Sequence, residues 1–368
     1  APPLPESERR VAIPADNARI AQLLGIEVAT VDAGWFGAAD PTSYWQEQRG
    51  DWSSVNTARF PSGLAALGQS IRDAGVPAGV FNYVNGTGSS VGEQMIRDAR
   101  TAGATFTGSV TVGRTIMGQM ASGPYPRPYI AEMGGKNPTI VTENADLDRA
   151  AAGIARSAYG MGGQKCSALS RLYVHEKVAD SLLAKVEQEI DKIRIGDPTE
   201  RATGLGPVIN KRAHEAYARY VADLKARGAK FRRGGRQPSE GAFARGYYVE
   251  PVLAEADLSD PLWKHEMFLP ILMVHRYRDR DEAMRLANDT DMGLTAGFFG
   301  SKDEIPWFQE NIQAGVIYAN RGAGATTGAW PGYQPFGGWK GSGSSGKAIA
   351  SAYYLPLYLR EQSRTVVD

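Results

Sequence analysis

The stretch I-A-E-M-G-G-K-N-P, residues 130–138, places the carboxylate of Glu132 directly before a Gly-Gly turn. The residues P-T-I-V at 138–141 predict a short strand, because a brief apolar run bounded by turn residues is typical of a buried strand. A glutamate at a strand end is usually a solvated surface group. Beside a nucleophile, however, a carboxylate can activate that nucleophile or a water molecule. The stretch is therefore a candidate catalytic segment if a nucleophile lies near it.

A second stretch, G-Q-K-C-S-A at residues 163–168, contains Cys166, the only cysteine in 368 residues. Cys166 follows the helix-breaking loop G-M-G-G-Q and has Lys165 beside it. The pKa of a thiol falls near a cation or a helix N-terminus, so this position favours a nucleophile. The alternative is a small buried hydrophobe, which is the commonest fate of a free cysteine. A single cysteine forms no disulfide within the chain, and we therefore expect a cytoplasmic protein.

Composition excludes several classes of protein. Basic and acidic residues are interspersed and the formal net charge is +1, so no basic stripe favours nucleic acid. We see no apolar run of about 18 residues and no signal-peptide pattern at the N-terminus, and we expect no membrane span. Four scattered histidines and one cysteine have no zinc-type spacing, so no metal site is expected.

Short apolar runs alternate with helical periodicity, and this alternation predicts an α/β fold. We predict strands at residues 77–84, 104–107, 138–141 and 171–175. We predict helices over residues 91–99, 108–120 and 145–159, the last with Asn144 or Asp146 as its cap, and a further amphipathic helix through Val178, Leu182, Val186 and Ile190. Residues 322–346 are rich in Gly, Ser and Thr and predict a loop. The tail Y-Y-L-P-L-Y-L, residues 353–359, suits an edge strand because it alternates weakly and contains Pro356.

The order of the motifs identifies a family. E-M-G-G-K-N-P followed by G-Q-K-C-S-A resembles the paired signature of the aldehyde dehydrogenase superfamily. Further matches, in the same order, are F-T-G-S-V-T-V-G-R at 106–114, E-M-F-L-P at 266–270, G-L-T-A-G at 293–297 and Q-P-F-G-G-W-K-G-S-G at 334–343. Leu269 stands where the family usually has glycine. The resemblance covers about residues 75–368, and within the superfamily the late motifs are most similar to Δ1-pyrroline-5-carboxylate (glutamate-γ-semialdehyde) dehydrogenases.

The resemblance implies an α/β fold with an incomplete Rossmann-type cofactor domain and an α/β catalytic domain. The implied boundaries are 75–133 for the cofactor domain, 134–325 for the catalytic domain, and 326–368 for a substrate loop and a tail strand that supports homo-oligomerisation. The implied reaction is NAD(P)-dependent oxidation of a small aldehyde through a cysteine thioester. The implied substrate is glutamate-γ-semialdehyde, which is converted to glutamate in proline catabolism; NAD is expected and NADP remains an alternative.

The resemblance also implies roles for individual residues. Cys166 attacks the aldehyde, its backbone N–H forms part of the oxyanion hole, and Glu132 activates the water that hydrolyses the thioester. The cofactor-binding positions are Gly108 and Ser109 for the pyrophosphate, Glu266 for the nicotinamide ribose, Phe268 for the ring, and Met133. The substrate-binding positions are Ser167, Tyr358 as an aromatic pocket wall, and the backbone amides of Ala350 and Ser351, where the family has glycines.

Residues 1–74 depart from this pattern. They contain neither W-N-F-P, whose asparagine completes the family's oxyanion hole, nor K-P-x-E, whose lysine binds the adenosine ribose. Residues of about 12–74 instead resemble part of a melibiase-type α-galactosidase, with Asp32 at the sugar-contacting position and Trp35 nearby. The chain is thus predicted to be chimera-like. Two alternatives to an active dehydrogenase stay open: a non-catalytic oligomeric or binding subunit, and a galactoside-binding fragment of a glycosidase.

Overall fold

The computed structural model describes residues 88–322, 334–347 and 351–367. The chain divides into two compact units, Ala1–Gln94 and Met95–Asp368. The galactosidase-like segment, the predicted strand at 77–84 and Ala350 lie outside the described residues. The predicted domain boundaries at 74, 133 and 325 stay predictions.

The described residues alternate strands and helices, as the α/β prediction requires. The strands are β1 (Ala104–Thr107), β2 (Tyr129–Glu132), β3 (Asn137–Val141), β4 (Leu169–His175), β5 (Lys230–Arg233), β6 (Val252–Glu255), β7 (Ile271–Tyr277), β8 (Met292–Gly293), β9 (Thr295–Phe299), β10 (Val316–Ala319) and β11 (Trp339–Lys340). The α-helices are α1 (Glu93–Arg97), α2 (Val110–Ala121), α3 (Leu147–Tyr159), α4 (Glu176–Asp191), α5 (Lys211–Ala226), α6 (Arg280–Asn288) and α7 (Ile305–Asn311).

A two-stranded parallel sheet brings two predicted site segments together. β1 pairs with β2 so that Thr107 lies opposite Glu132, and the amide of Gly108 donates to the Glu132 carbonyl at 3.1 Å. The next residue, Ser109, caps α2 by accepting a hydrogen bond from the amide of Val112. Because parallel strands end at the same edge, the start of α2 and the carboxylate of Glu132 lie at one edge of this sheet.

Seven strands form the main sheet, in the order β10-β9-β3-β4-β7-β6-β5. All neighbours are parallel except β5, which pairs antiparallel with β6. One buried cluster contains side chains of α3 and α4, and a second contains side chains of α5, α6 and α7. The sheet therefore carries helices on both faces, which is the usual arrangement for a parallel sheet.

The helix predictions are confirmed where the apolar periodicity was strong. Helix α3 begins after Asp146, whose carboxylate accepts from the Arg149 amide at 3.1 Å, and it ends before Gly160. Helix α4 buries Leu182, Val186 and Ile190, as their spacing predicted. The predicted helix at 91–99 is shorter, because residues Gly88–Gly92 form a π-type turn before α1. Among the helices of the described ranges, none combines the length and apolarity that a bilayer crossing requires.

The predicted tail strand is wrong. Residues Leu355–Tyr358 form a 3-10 turn, and Pro356 lies in its first turn. Proline suits that position because its fixed φ matches a helix start and its missing N–H is not needed there. The tail is held through the hydroxyl of Tyr358, which hydrogen-bonds to the Thr105 hydroxyl on β1. Oligomerisation through the tail stays a prediction.

Two helical glycines are expected to respond oppositely to alanine. A Cβ at Gly153 in α3 would lie 2.7 Å from the Phe299 ring and 3.0 Å from the Arg321 carbonyl, whereas a Cβ at Gly118 in α2 meets nothing within 4 Å. Gly118→Ala should raise the free energy of unfolding by about 0.5–1 kcal/mol, the usual helix propensity gain. Gly153→Ala should lower it by about 1–3 kcal/mol through overpacking. Urea denaturation of both variants checks the signs, and a gain at Gly153 would contradict the described packing of α3.

Candidate active site

Glu132 is a buried carboxylate at the end of β2. Its side chain is 6% exposed, and its Oε2 accepts a hydrogen bond from the Gly338 amide at 3.0 Å. Burial raises the pKa of Glu132 to about 7, although the Gly338 N–H opposes the shift by favouring the charged form. A carboxyl group with a pKa near neutrality can accept or release a proton at the pH where most enzymes work.

The glycine-rich loop at 334–343 is tied along β2 by serines that sequence reasoning did not assign. The hydroxyl of Ser342 donates to the Gly134 carbonyl at 2.6 Å, and its carbonyl accepts from the Met133 amide at 2.8 Å. The hydroxyl of Ser344 accepts from the Ala131 amide at 2.7 Å. These bonds hold the Gly338 amide against Glu132. The glycine and serine content of the motif was the only sequence signal for this contact.

Three predicted site segments meet at Gly134 and Gly135. The Gly135 amide donates to Oε1 of Glu266 at 2.8 Å. A Cβ at Gly134 would collide with the Glu266 carboxylate, and a Cβ at Gly135 would collide with the carbonyl oxygen of Cys166. The Gly-Gly turn is therefore required by close approach, and it brings Glu132, Cys166 and Glu266 to one place.

The Cys166 loop is also fixed from its other side. Met161, Gly162 and Gly163 all have left-handed backbone angles, with φ of 57°, 64° and 64°. A Cβ at Gly163 would collide with the carbonyl of Leu269, so this glycine allows the cysteine loop to pack on the Glu266–Pro270 loop. The two loops that the sequence motifs predicted to be functional thus support each other directly.

The thiol of Cys166 is partly buried between carboxylates. Burial raises its pKa to about 11, and the carboxylates of Glu266 and Glu132 add to this rise. The amide N–H groups of Ser167 and of Cys166 itself oppose it. The lowered thiol pKa that the neighbouring lysine suggested is therefore wrong, because desolvation and two nearby negative charges outweigh the local donors.

Lys136 and Arg171 are buried cations behind the turn. Lys136 is 1% exposed, its Nζ has no hydrogen-bond partner among the described residues, and burial lowers its pKa to about 7. Arg171 donates to the main-chain carbonyls of Lys136, Leu286 and Ala287 at 2.8–3.1 Å. The Leu286 and Ala287 carbonyls belong to the last turn of helix α6, where the helix dipole favours a cation. Arg171 therefore fixes the segment after the Gly-Gly turn to the main sheet.

The remaining predicted site residues lie in different surroundings. Phe268 is 46% exposed and has a strained φ of 55°, so its ring is available at the surface of the loop. Met133 is buried, with its sulfur against Gly113 of α2. Ser167 is buried, and its carbonyl accepts from the Thr295 hydroxyl.

Two predicted substrate positions lie in the tail. The hydroxyl of Ser351 accepts from the Tyr353 amide within its own turn, and Tyr358 is bonded to Thr105. Their described contacts are therefore with the tail itself and with β1. Their roles in binding a substrate stay predictions, as do the roles of the other site residues.

The fold and these motif residues are those expected of an aldehyde dehydrogenase, and comparison with known proteins confirms the family. Residues 58–363 match the model of the aldehyde dehydrogenase family, and the chain belongs to that family. The match begins at residue 58 and therefore overlaps residues 58–74 of the galactosidase-like segment. The galactosidase resemblance itself gains no support from it.

More particularly, the chain is similar to 1-pyrroline-5-carboxylate dehydrogenases. It is 38% identical over 305 residues to that enzyme from Geobacillus kaustophilus, covering 81% of this chain and 57% of the relative. The NAD-bound structure of the Thermus enzyme matches with a TM-score of 0.73 at 34% identity, over 80% of this chain and 57% of that one. A 3,6-anhydro-L-galactose dehydrogenase in complex with NADP matches with a TM-score of 0.73 at 31% identity, over 82% and 61%. The chain thus spans little more than half the length of these relatives.

The burial of Glu132 predicts a pH-dependent effect of Glu132→Gln on stability. Folding raises the pKa of this carboxyl group, so the stability it contributes is lost as the pH rises from 4.5, its ordinary pKa, through about 7. Glutamine keeps an acceptor for the Gly338 amide without the charge. The variant should therefore gain about 3 kcal/mol over the parent between pH 4.5 and pH 8.5, observed as a rise of a few degrees in relative melting temperature. The exposed Glu310→Gln should follow the parent, and an equal response of both variants would contradict the burial of Glu132.

The same substitution should increase the reactivity of the thiol. Removing the Glu132 charge lowers the pKa of Cys166, and more thiolate is then present at pH 8. We expect alkylation by iodoacetamide to become roughly three- to tenfold faster than in the parent and in Glu310→Gln. Because Cys166 is the only cysteine, mass spectrometry of the intact chain gives its rate directly. An unchanged rate would show that Glu132 and the sulfur are not electrostatically coupled.

Proposed function

We propose that this chain carries the reacting half of an NAD-dependent dehydrogenase that oxidises glutamate-γ-semialdehyde, the open form of 1-pyrroline-5-carboxylate, to glutamate. The observation that carries the proposal is the meeting of one thiol and two carboxylates on a single Gly-Gly turn. The choice of substrate is supported by the names of the relatives and by the late sequence motifs.

The described residues are suited to a nicotinamide dinucleotide. Helix α2 begins after Ser109, and its first-turn N–H groups together with the helix dipole favour a pyrophosphate. Glu266 uses Oε1 for the Gly135 amide, and its carboxylate has further acceptor capacity for ribose hydroxyls. The exposed ring of Phe268 offers an apolar surface for the nicotinamide. These residues would hold NAD, which would supply the hydride acceptor needed to oxidise the Cys166 adduct to a thioester.

The chain's own groups account for the other steps. Cys166 adds to the aldehyde carbon as thiolate, and its amide N–H donates to the oxygen that becomes negative. After oxidation, Glu132 takes a proton from water, the resulting hydroxide attacks the thioester carbonyl, and Cys166 leaves as thiolate. The pKa of Glu132 near 7 suits this role, because a base must be ionised at neutral pH and still accept a proton readily.

The sequence predicts slow turnover. The chain lacks the W-N-F-P motif that supplies a second oxyanion donor in the family. Loss of one such donor typically reduces turnover by about 10²–10³. The missing K-P-x-E lysine is expected to weaken binding of the adenosine ribose. Homo-oligomerisation and a cytoplasmic location stay predictions.

The test is the stoichiometry of NADH production from pyrroline-5-carboxylate and NAD. The parent should release NADH steadily, and Cys166→Ala should release none. Glu132→Gln should still form the thioester but hydrolyse it slowly, so we expect a burst of about one NADH per chain followed by a plateau. Trapping of the acyl group on Cys166 in that variant, seen by intact mass, confirms the order of the steps.

Two results would overturn the proposal. Steady NADH release by Cys166→Ala would show that the thiol is not the nucleophile. Absence of NADH from the parent with both NAD and NADP, in a protein that melts cooperatively, would favour the non-catalytic subunit instead.

A further inference from the structure

Asn137, the first residue of β3, makes contacts on three sides. It is 3% exposed. Its side-chain Nδ2 donates to the carbonyl of Cys166 at 2.7 Å and to the carbonyl of Ala168 at 2.8 Å. Its Oδ1 accepts from the amide of Thr295 at 3.0 Å. One amide side chain therefore joins the cysteine loop to strand β9.

The local sequence explains why a side chain performs this task. Pro138 follows Asn137 and has no N–H to give to the sheet. The pairing of β3 with β4 shifts register between Asn137 and Pro138, as in a β-bulge. At this irregular position, the side-chain amide of Asn137 bonds to main-chain groups of two neighbouring segments. One segment is the cysteine loop before β4, and the other is the start of β9. A bulge next to a functional residue commonly redirects a side chain or a peptide group.

The hydrogen bond from Asn137 to the Cys166 carbonyl determines the direction of the next amide. The carbonyl of Cys166 and the N–H of Ser167 belong to one peptide group, and the described chain contains no cis peptide bond. In a trans peptide these two groups point in opposite directions. When the carbonyl is turned toward Asn137 and Gly135, the Ser167 N–H is turned away from them. The Ser167 N–H lowers the pKa of the Cys166 thiol, because it favours the thiolate.

We propose that Asn137 is a positioning residue that holds the Cys166–Ser167 peptide so that the Ser167 N–H faces the sulfur. It does not touch the substrate and acts only through this peptide. Its importance for turnover rests on the proposed function, because that function makes Cys166 the nucleophile. Its effect on the thiol itself can be measured without any turnover.

The experiment compares Asn137→Leu with a matched variant, Asn288→Leu. Asn288 also bridges two main-chain groups with its side-chain amide. Its Nδ2 donates to the Asn311 carbonyl at 2.9 Å, and its Oδ1 accepts from the Gln313 amide at 2.8 Å. Both substitutions remove a side-chain bridge between main-chain groups. Only Asn137→Leu releases the Cys166 peptide, so only it should slow alkylation of the thiol, by about tenfold at pH 8.

Two maleimides of different size distinguish a loss of thiolate from a loss of access to the sulfur. A smaller thiolate fraction slows the reaction of Cys166 with N-ethylmaleimide and with the bulkier N-phenylmaleimide by the same factor. A narrower approach to the sulfur slows the reaction with the bulkier reagent more. Equal slowing in Asn137→Leu, with Asn288→Leu at the parent rate, supports the proposal. A parent-like rate in Asn137→Leu overturns it, as does slowing confined to the bulkier reagent or equal slowing in both leucine variants.

A milder variant keeps the test decisive if Asn137→Leu does not fold. Asn137→Ser retains one hydroxyl donor for a single carbonyl, and an intermediate slowing of both reagents is expected. A parent-like rate in the folded serine variant overturns the proposal. A parent that makes no NADH, with slowed alkylation in the Asn137 variants, would refute the proposed function and leave this inference standing.

Discussion

The close approach of three segments at Gly134 and Gly135 is the constraint on which the site depends. The Glu266 carboxylate packs against Gly134, and the Cys166 carbonyl packs against Gly135. Each occupies space that a Cβ on the glycine would fill. Glu132 stands two residues before this turn, and Asn137 stands two residues after it. A single Gly-Gly dipeptide thus fixes the spacing between both carboxylates and the thiol. The Ser342 bond to the Gly134 carbonyl and the Arg171 bond to the Lys136 carbonyl hold the turn at both of its ends.

Burial gives these groups unusual proton affinities. Two carboxylates and a thiol share a poorly solvated region, so the pKa values of Glu132 and Cys166 rise together. The charged forms are favoured mainly by main-chain N–H groups, which belong to Gly338, Gly135 and Ser167. Such donors have fixed directions and need no counter-ion. The orientation of peptide groups therefore matters more to this site than ion pairing does, and this explains the importance of an amide clamp such as Asn137.

Much of the fold followed from local sequence. Asp146 and Gly160 bound helix α3 as the capping pattern indicated, and Ser109 caps α2. The tail was mistaken for a strand, because weak alternation does not reveal whether a partner strand exists, and Pro356 favours a helical turn equally well. The thiol pKa was also mistaken, because Lys165 is adjacent in sequence while the carboxylates that dominate come from Glu132 and Glu266. Asn137 and Gly338 were missed because their roles arise from main-chain contacts across distant segments.

The sequence by itself determined which groups are candidates for the reaction and the order of the elements that carry them. A lone cysteine among glycines, a glutamate before Gly-Gly and the E-M-F-L-P segment predicted the chemistry through their resemblance to one family. The tertiary structure alone decided which groups meet, how far they are desolvated and in which direction each peptide N–H points. These quantities depend on packing between segments that are far apart in the chain, such as Glu132 and Gly338 at a separation of 206 residues, and no local pattern contains that information.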